Sequence, residues 1–168
     1  MKLVISPLEP DEVEDLCALA REVWRQHYPP IIGAAQTEYM LAQRYDPALV
    51  REELARSDVW WDTLTEDGEI AAFASSLPGE RAGELKLDKL YVRPQRQRMG
   101  YGAALIEHTC ERAVRLGYGR VVLAVNKRNA YAIAAYEKHG FRIREAIVKD
   151  IGEGFVMDDY IMERDCRT

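Results

Sequence analysis

The sequence predicts a mixed α/β (α+β) fold of 168 residues, and three observations carry that expectation. Apolar residues recur at three- and four-residue spacing in several stretches before Asp58, which is the period of amphipathic helices. Between Asp58 and Pro94 the pattern changes to short strand-like runs punctuated by turn residues. After Gly100 a helical stretch, the continuous apolar run "RVVLAV" and a second helical stretch follow in order, which is the signature of a strand-helix-strand crossover.

"KLVI" at residues 2–5 reads as a short strand, and Val13, Leu16, Leu19, Ala20 and Val23 mark one face of the helix that follows. Pro29 and Pro30 are expected to end that helix. A second helix lies around "AAQTEYMLAQRY", and "PALVREELARS" forms a third with Asp46 as its cap and Pro47 in its first turn. "VWWDTLTEDGEIAAFASSLP" predicts two strands joined at Asp67-Gly68, because that dipeptide adopts the left-handed conformations a tight hairpin requires. "ELKLDKLYVRP" is a third strand that stops at Pro94. The helix after Gly100 ends at Gly117 and Gly119, Asn129 caps "AYAIAAYEKH", and Gly140 closes it before the strands "FRIREAIVKDI" and "FVMDDYIME". A right-handed crossover makes the strands at 85–92 and 120–125 parallel neighbours, with antiparallel strands around them.

The chain is long enough for one well-buried core and is read as a single domain, 1–168. The N-terminus lacks the apolar run of a secretory signal or a membrane span, so a cytoplasmic protein that does not contact membrane is expected. Cys17, Cys110 and Cys166 are far apart and lack metal-ligand spacing, as do His27, His108 and His139; they are read as plain thiols and no metal is expected. The net charge of −5 is uneven: residues 1–70 have 15 acids and 6 bases, whereas residues 71–168 have 13 acids and 17 bases. That split suits an anionic ligand in the second part and a cationic one in the first. Overall acidity, without a long basic stripe bearing stacking aromatics, argues against nucleic acid.

"RPQRQRMGYGAALIEH" concentrates positive charge and bare backbone at one helix start. A helix N-terminus presents unpaired N–H groups, and Gly100 and Gly102 would let a pyrophosphate approach the amides of Arg98, Met99, Gly100, Tyr101, Gly102 and Ala103. Arg93, Arg96, Arg98, Lys127 and Arg128 could add charge-assisted contacts. Alone, Gly-x-Gly after a strand also fits a tight turn with no ligand. The dinucleotide fingerprint fails at Leu105, and no P-loop lysine is present.

"LDKLYVRPQRQRMGYGAALI" resembles the acetyl-coenzyme A motif of the GNAT superfamily of N-acetyltransferases, Gln/Arg-x-x-Gly-x-Gly/Ala, through Gln97, Gly100 and Gly102. "AVNKRNAYAIAAYEKHGFR" resembles the second family motif through Asn126 or Asn129, Tyr136, Gly140 and Phe141. The resemblance covers 58–165, the acetyl-coenzyme A-binding core; residues 1–57 fit the family's variable acceptor side. "KDIGEGFVMDDYIMER" is also similar to the ending of bacterial polyamine-type acetyltransferases. The implied GNAT fold has a mostly antiparallel sheet of about seven strands, a splayed parallel central pair and about four to five helices.

The resemblance implies attack of an amine on the thioester of acetyl-coenzyme A, through a tetrahedral oxyanion. Pantetheine would pair with the backbone of Leu90, Tyr91 and Val92, and an amide near Leu90 would donate to the oxyanion. Tyr136 occupies the position of the acid that returns a proton to the leaving thiolate, and Asn129 stands in the cofactor-binding stretch. An ammonium of pKa about 10.4 is only about one part in a thousand neutral near pH 7.4, so a base is useful. Asp88 is the first candidate, sharing a strand face with Lys86, Leu90 and Val92; a salt-bridged aspartate is the alternative, and some relatives use water alone. Glu22, Trp24, His27, Tyr28 and Tyr39 are candidates to line a pocket for a small cationic amine, although each also suits core or surface. Acetylation of a lysine or a peptide N-terminus, and a non-catalytic acyl-coenzyme A sensor, are the alternatives. Dimers are common in the family, and a homodimer is compatible with the sequence.

Overall fold

The structure, a computed structural model, describes residues 1–166. Seven strands, β1 (Leu3–Pro7), β2 (Trp60–Glu66), β3 (Glu69–Pro78), β4 (Glu84–Val92), β5 (Arg120–Asn126), β6 (Arg142–Gly152) and β7 (Phe155–Asp165), form one mixed sheet. Their order is β1-β2-β3-β4-β5-β7-β6. The expected parallel pair is present, with Glu84, Leu85 and Lys86 opposite Arg120, Val121 and Val122.

The described residues contain six α-helices: α1 (Val13–His27), α2 (Pro29–Ile32), α3 (Ala34–Arg44), α4 (Pro47–Leu54), α5 (Tyr101–Arg115) and α6 (Ala130–Lys138). The helix beyond the expected number is α2, a single turn. Pro29 and Pro30 begin it as well as following α1, because a proline in the first turn lacks only an N–H that has no intrahelical partner there.

Contacts group the chain into two compact units, Met1–Leu77 with Lys89–Leu105, and Pro78–Asp88 with the described residues from Ile106 onward. In the first, α1 buries Leu16, Leu19, Ala20, Val23 and Trp24, the face its spacing defines. Trp24, Tyr45, Trp61, Phe73 and Tyr91 form a linked aromatic core; Trp61 and Phe73 have centroids 6.2 Å apart, and Phe73 and Tyr91 5.8 Å. The hairpin turns at Asp67 (φ 51°) and Gly68 (φ 89°), two consecutive left-handed residues as the dipeptide requires. Asp46 caps α4 by accepting from Ala48 N at 2.9 Å.

In the second unit β7 pairs antiparallel with both β5 and β6, and Leu85, Val121, Leu123, Ile106, Ala113 and Met162 are buried. A Cβ at Gly79 would sit 3.1 Å from Glu84 Cβ and 3.2 Å from Glu84 O, so glycine permits the close return into β4. Glu84 and Glu163 are buried carboxylates satisfied by Arg144, whose Nη1 lies 2.6 Å from Glu84 and 3.2 Å from Glu163. Removing either partner would strand a buried charge.

Candidate functional site

The turn from β4 into α5 is built by Pro94, Arg98 and Gly100. Pro94 cannot extend the ladder and opens a 3-10 turn, Pro94–Arg96, in which Arg96 N donates to Arg93 O at 2.8 Å. Gln97 is extended, Arg98 is left-handed at φ 65°, and Gly100 is left-handed at φ 86°. The first intrahelical bond of α5 runs from Ala104 N to Gly100 O at 3.0 Å, so the amides of Tyr101, Gly102 and Ala103 have no intrahelical acceptor. Arg98, Met99 and Gly100 are exposed, and a Cβ added to Gly100 would meet nothing within 4 Å. A Cβ on Gly102 would touch only Val92 Cγ2, at 3.7 Å. The result is an open, amide-lined helix start with its dipole aimed outward.

Side chains hold this turn in place. Arg93 N donates to Ala71 O at 2.8 Å, and its guanidinium donates to Ile70 O at 2.9 Å and Glu22 at 3.3 Å. Glu66 accepts from Tyr101 Oη at 2.6 Å and from Arg96 Nε, tying both ends of the turn to the end of β2. The Tyr101 hydroxyl, followed by Arg96, holds the Glu66 carboxyl below the usual carboxylate range, and the same contact raises the Tyr101 hydroxyl. Arg93 and Arg96, read from sequence as phosphate ligands, are therefore already bound to carboxylates and carbonyls that position the turn. Arg98 is the arginine of this cluster without an acidic partner among the described residues. Gln97 Nε2 donates to Val92 O at 3.5 Å, so this motif residue supports the turn from below. No feature of the sequence pointed to Glu66, which lies 30 residues from Arg96 and 35 from Tyr101.

The same unit holds the proposed acceptor-side residues. Tyr28 and Tyr91 share a hydroxyl hydrogen bond of 2.8 Å, and burial first, with Tyr28 next, pushes the Tyr91 hydroxyl well above its ordinary value. The Trp24 and Tyr28 rings are 4.3 Å apart and tilted at 39°, and His27 lies edge-on to Tyr28 at 4.9 Å. These residues are brought together, whereas Tyr39 is engaged with Gln43 on α3 and Glu22 with Arg93. Trp24 is only 2% exposed and belongs to the core. Sequence reasoning missed Lys89, a 5% exposed lysine whose Nζ lies 5.0 Å from the Trp61 ring centroid and 5.9 Å from that of Tyr45. Part of the aromatic surface thus already faces a cation of the chain itself.

In the second unit Asn129 is buried and caps α6, accepting from Ala132 N at 3.4 Å. Tyr136 is half-buried on α6, its ring 5.7 Å from Phe141 at 66°. Gly140 has φ 88°, and Phe141 N returns to Tyr136 O at 3.0 Å, so the Tyr-x-x-x-Gly-Phe run is a helix-ending device that fixes the root of Tyr136. Asp88 lies 3.6 Å from Lys86 Nζ, as two same-face positions of a strand allow. Lys127 is paired with Asp158 and lies over the Tyr160 ring. Among the described residues, no three His, Cys, Asp or Glu side chains are grouped to hold a metal. No helix among the described residues is long and apolar enough to cross a membrane.

These features coincide with known proteins. The sequence pattern of the acetyltransferase (GNAT) family matches residues 15–141. The spermidine N(1)-acetyltransferase of Thermoplasma acidophilum is 26% identical over 164 residues, covering 94% of this chain and 97% of that protein. The ribosomal protein bS18-alanine N-acetyltransferase of Escherichia coli K12 is 40% identical over 78 residues, 46% of this chain and 51% of that protein. Among solved structures, the PaiA N-acetyltransferase of Thermoplasma acidophilum in complex with coenzyme A superposes with a TM-score of 0.85 at 23% identity, over 98% of this chain and 99% of that one. A crossover sheet of this order, a glycine-lined helix start after its central strand and a family match across most of the length lead to one conclusion: the chain belongs to the GNAT family and is an N-acetyltransferase.

Proposed function

We propose that this protein transfers the acetyl group of acetyl-coenzyme A to a small cationic amine of the polyamine class. The observation that carries the reading is the open helix start, where Arg98 and Gly100 are left-handed and the amides of Tyr101, Gly102 and Ala103 have no intrahelical acceptor. The residues present fit coenzyme A: a diphosphate needs donors without competing acceptors, space above them and a nearby positive charge. Open space at Gly100 and the exposed Arg98 side chain supply the last two.

When bound, acetyl-coenzyme A supplies an activated acetyl thioester. The amides from Arg98 to Ala103 hold its diphosphate, and the backbone of Leu90, Tyr91 and Val92 aligns its pantetheine arm. A backbone amide near Leu90 donates to the carbonyl oxygen as negative charge builds there, a contribution worth about 3–4 kcal/mol in sites of this kind. Asp88 accepts the proton of the incoming ammonium, directly or through water; holding the amine neutral near pH 7.4 offsets ~4 kcal/mol. Tyr136 returns a proton to the departing sulfur, since a phenol of pKa near 10 is still protonated at neutral pH and needs no prior ionisation to donate.

The excess of acids in residues 1–70 and the end-to-end similarity to a spermidine acetyltransferase support a cationic small amine. Higher local identity to a ribosomal protein alanine acetyltransferase favours a second reading, transfer to a protein N-terminus. A panel of polyamines, lysine derivatives and short peptides, followed by release of coenzyme A, separates the two. Polyamine turnover that falls in Tyr136→Phe is the expected result. Turnover of peptides alone would replace the acceptor assignment, and thioester binding with no turnover of any amine would make the protein a sensor.

A further inference from the structure

Three candidates lie outside the acyl-transfer residues: the buried Arg144–Glu84–Glu163 cluster, the β6 edge of the sheet, and a cleft beside the second half of α5. In the first both carboxylates are already paired with Arg144, and the second is bulged at both ends, near Arg144 and Ile151, which blunts an edge. The cleft carries chemistry.

It has a volume of about 340 Å³ and is lined by Glu107, Cys110, Val114 and their neighbours on α5, facing Arg164 and Cys166 at the end of β7. Glu107, Cys110 and Val114 share a helix face at three- and four-residue spacing. Cys110 and Cys166, 56 positions apart in sequence, come together on the wall of this one cleft. Both are nearly buried, yet both line the cleft. Cys166 is pinned by its backbone N–H to Gly119 O at 3.1 Å, and its Sγ donates to Arg164 O at 3.7 Å. Arg164 is held at the rim by Glu107 at 2.7 Å. Two thiols lining one small cleft together with an arginine are the arrangement in which a thiolate forms and is then resolved by its neighbour.

We propose that Cys110 and Cys166 form a redox modification site, a dithiol that a peroxide entering this cleft converts to an intrachain disulfide. Supporting the order of events, the Cys110 thiol holds the Cys166 thiol below its ordinary value against the opposing effect of burial, with Arg164 assisting. Cys166 and burial raise Cys110. Cys166 sulfur attacks one peroxide oxygen, the O–O bond breaks, and the departing oxygen leaves as water with the Cys166 proton. The Cys110 sulfur then attacks Cys166 sulfur; the S–O bond breaks, and hydroxide leaves as water with the Cys110 proton. Two thiols are oxidised by one peroxide, giving a disulfide and two waters. Cys17, buried alone in the first unit and pushed up to about 11, is the internal reference.

The test is to expose the intact protein to a small excess of hydrogen peroxide, denature it, alkylate and weigh it. The expected result is a fall from three alkylatable thiols to one, with loss of two hydrogens, reversal by dithiothreitol and a linked Cys110–Cys166 peptide. Cys110→Ser should trap added oxygen on Cys166 without a cross-link, and Cys166→Ser should keep its remaining thiols. Three alkylatable thiols after exposure, a cross-link through Cys17, or a reducible dimer would each overturn the proposal. The wild-type measurement decides even where a variant folds poorly.

Discussion

Gly100→Ala distinguishes a glycine kept for backbone conformation from one kept for a ligand, and Gly68→Ala is its matched control. Both glycines are left-handed, at φ 86° and 89°, and a Cβ at either meets nothing within 4 Å. Alanine therefore costs about 1–2 kcal/mol at each site through backbone strain alone, with no packing contribution. For a chain of this size about 1 kcal/mol lowers Tm by roughly 2–4 °C, so thermal melts should show similar losses in both variants. Only Gly100→Ala should weaken coenzyme A. Losing one charge-assisted amide-phosphate bond costs about 1.5–3 kcal/mol, which is roughly a 10- to 150-fold rise in Kd by calorimetry. If both variants melt early and both bind coenzyme A like the parent, the amides at this helix start do not hold it and the reasoning fails.

Tyr136→Phe keeps the ring that packs on Phe141 and removes only the hydroxyl, so kcat should fall about 100-fold or more; unchanged kcat in steady-state assays would remove Tyr136 from the reaction. Asp88→Asn should lower turnover most at neutral pH and recover toward high pH as the amine deprotonates unaided; a uniform loss across pH would assign Asp88 to its ion pair with Lys86. Glu66 has a folded pKa below its ordinary 4.5, so its contribution is present above that value and lost as pH falls through the folded pKa. Denaturant titrations should accordingly show Glu66→Gln with a shallower loss of stability on the acid side; an unchanged acid slope would contradict the Tyr101–Glu66–Arg96 clamp. Arg98→Ala should weaken coenzyme A and flatten the salt dependence of binding without changing Tm, because its exposed side chain has no acidic partner among the described residues.

What the sequence made legible was decided locally. Asp67-Gly68 fixed a hairpin because few residues accept two left-handed positions in succession, and Asp46 and Asn129 capped helices where their side chains could reach the next turn. The parallel neighbours β4 and β5 followed from the handedness of a crossover, and the glycine-lined turn from the needs of a helix N-terminus. What stayed hidden depends on partners far apart in sequence. Glu66 reads as one more acid in "TEDGE", yet it closes the turn by meeting Arg96 and Tyr101. Lys89 alternates like any strand residue, and only the fold reveals that it faces Trp61 and Tyr45. Cys110 and Cys166 looked unrelated until β7 entered between β5 and β6 and ended beside α5. The arginines show the same limit: charge density marked the region, but carboxylates elsewhere determined which of them remain available.

The most direct measurement is a crystal structure of this protein with coenzyme A. The diphosphate is expected against the backbone amides between Arg98 and Ala103, with the thiol end directed along Leu90–Val92. A diphosphate bound anywhere else, or no binding at millimolar coenzyme A, would contradict this assignment.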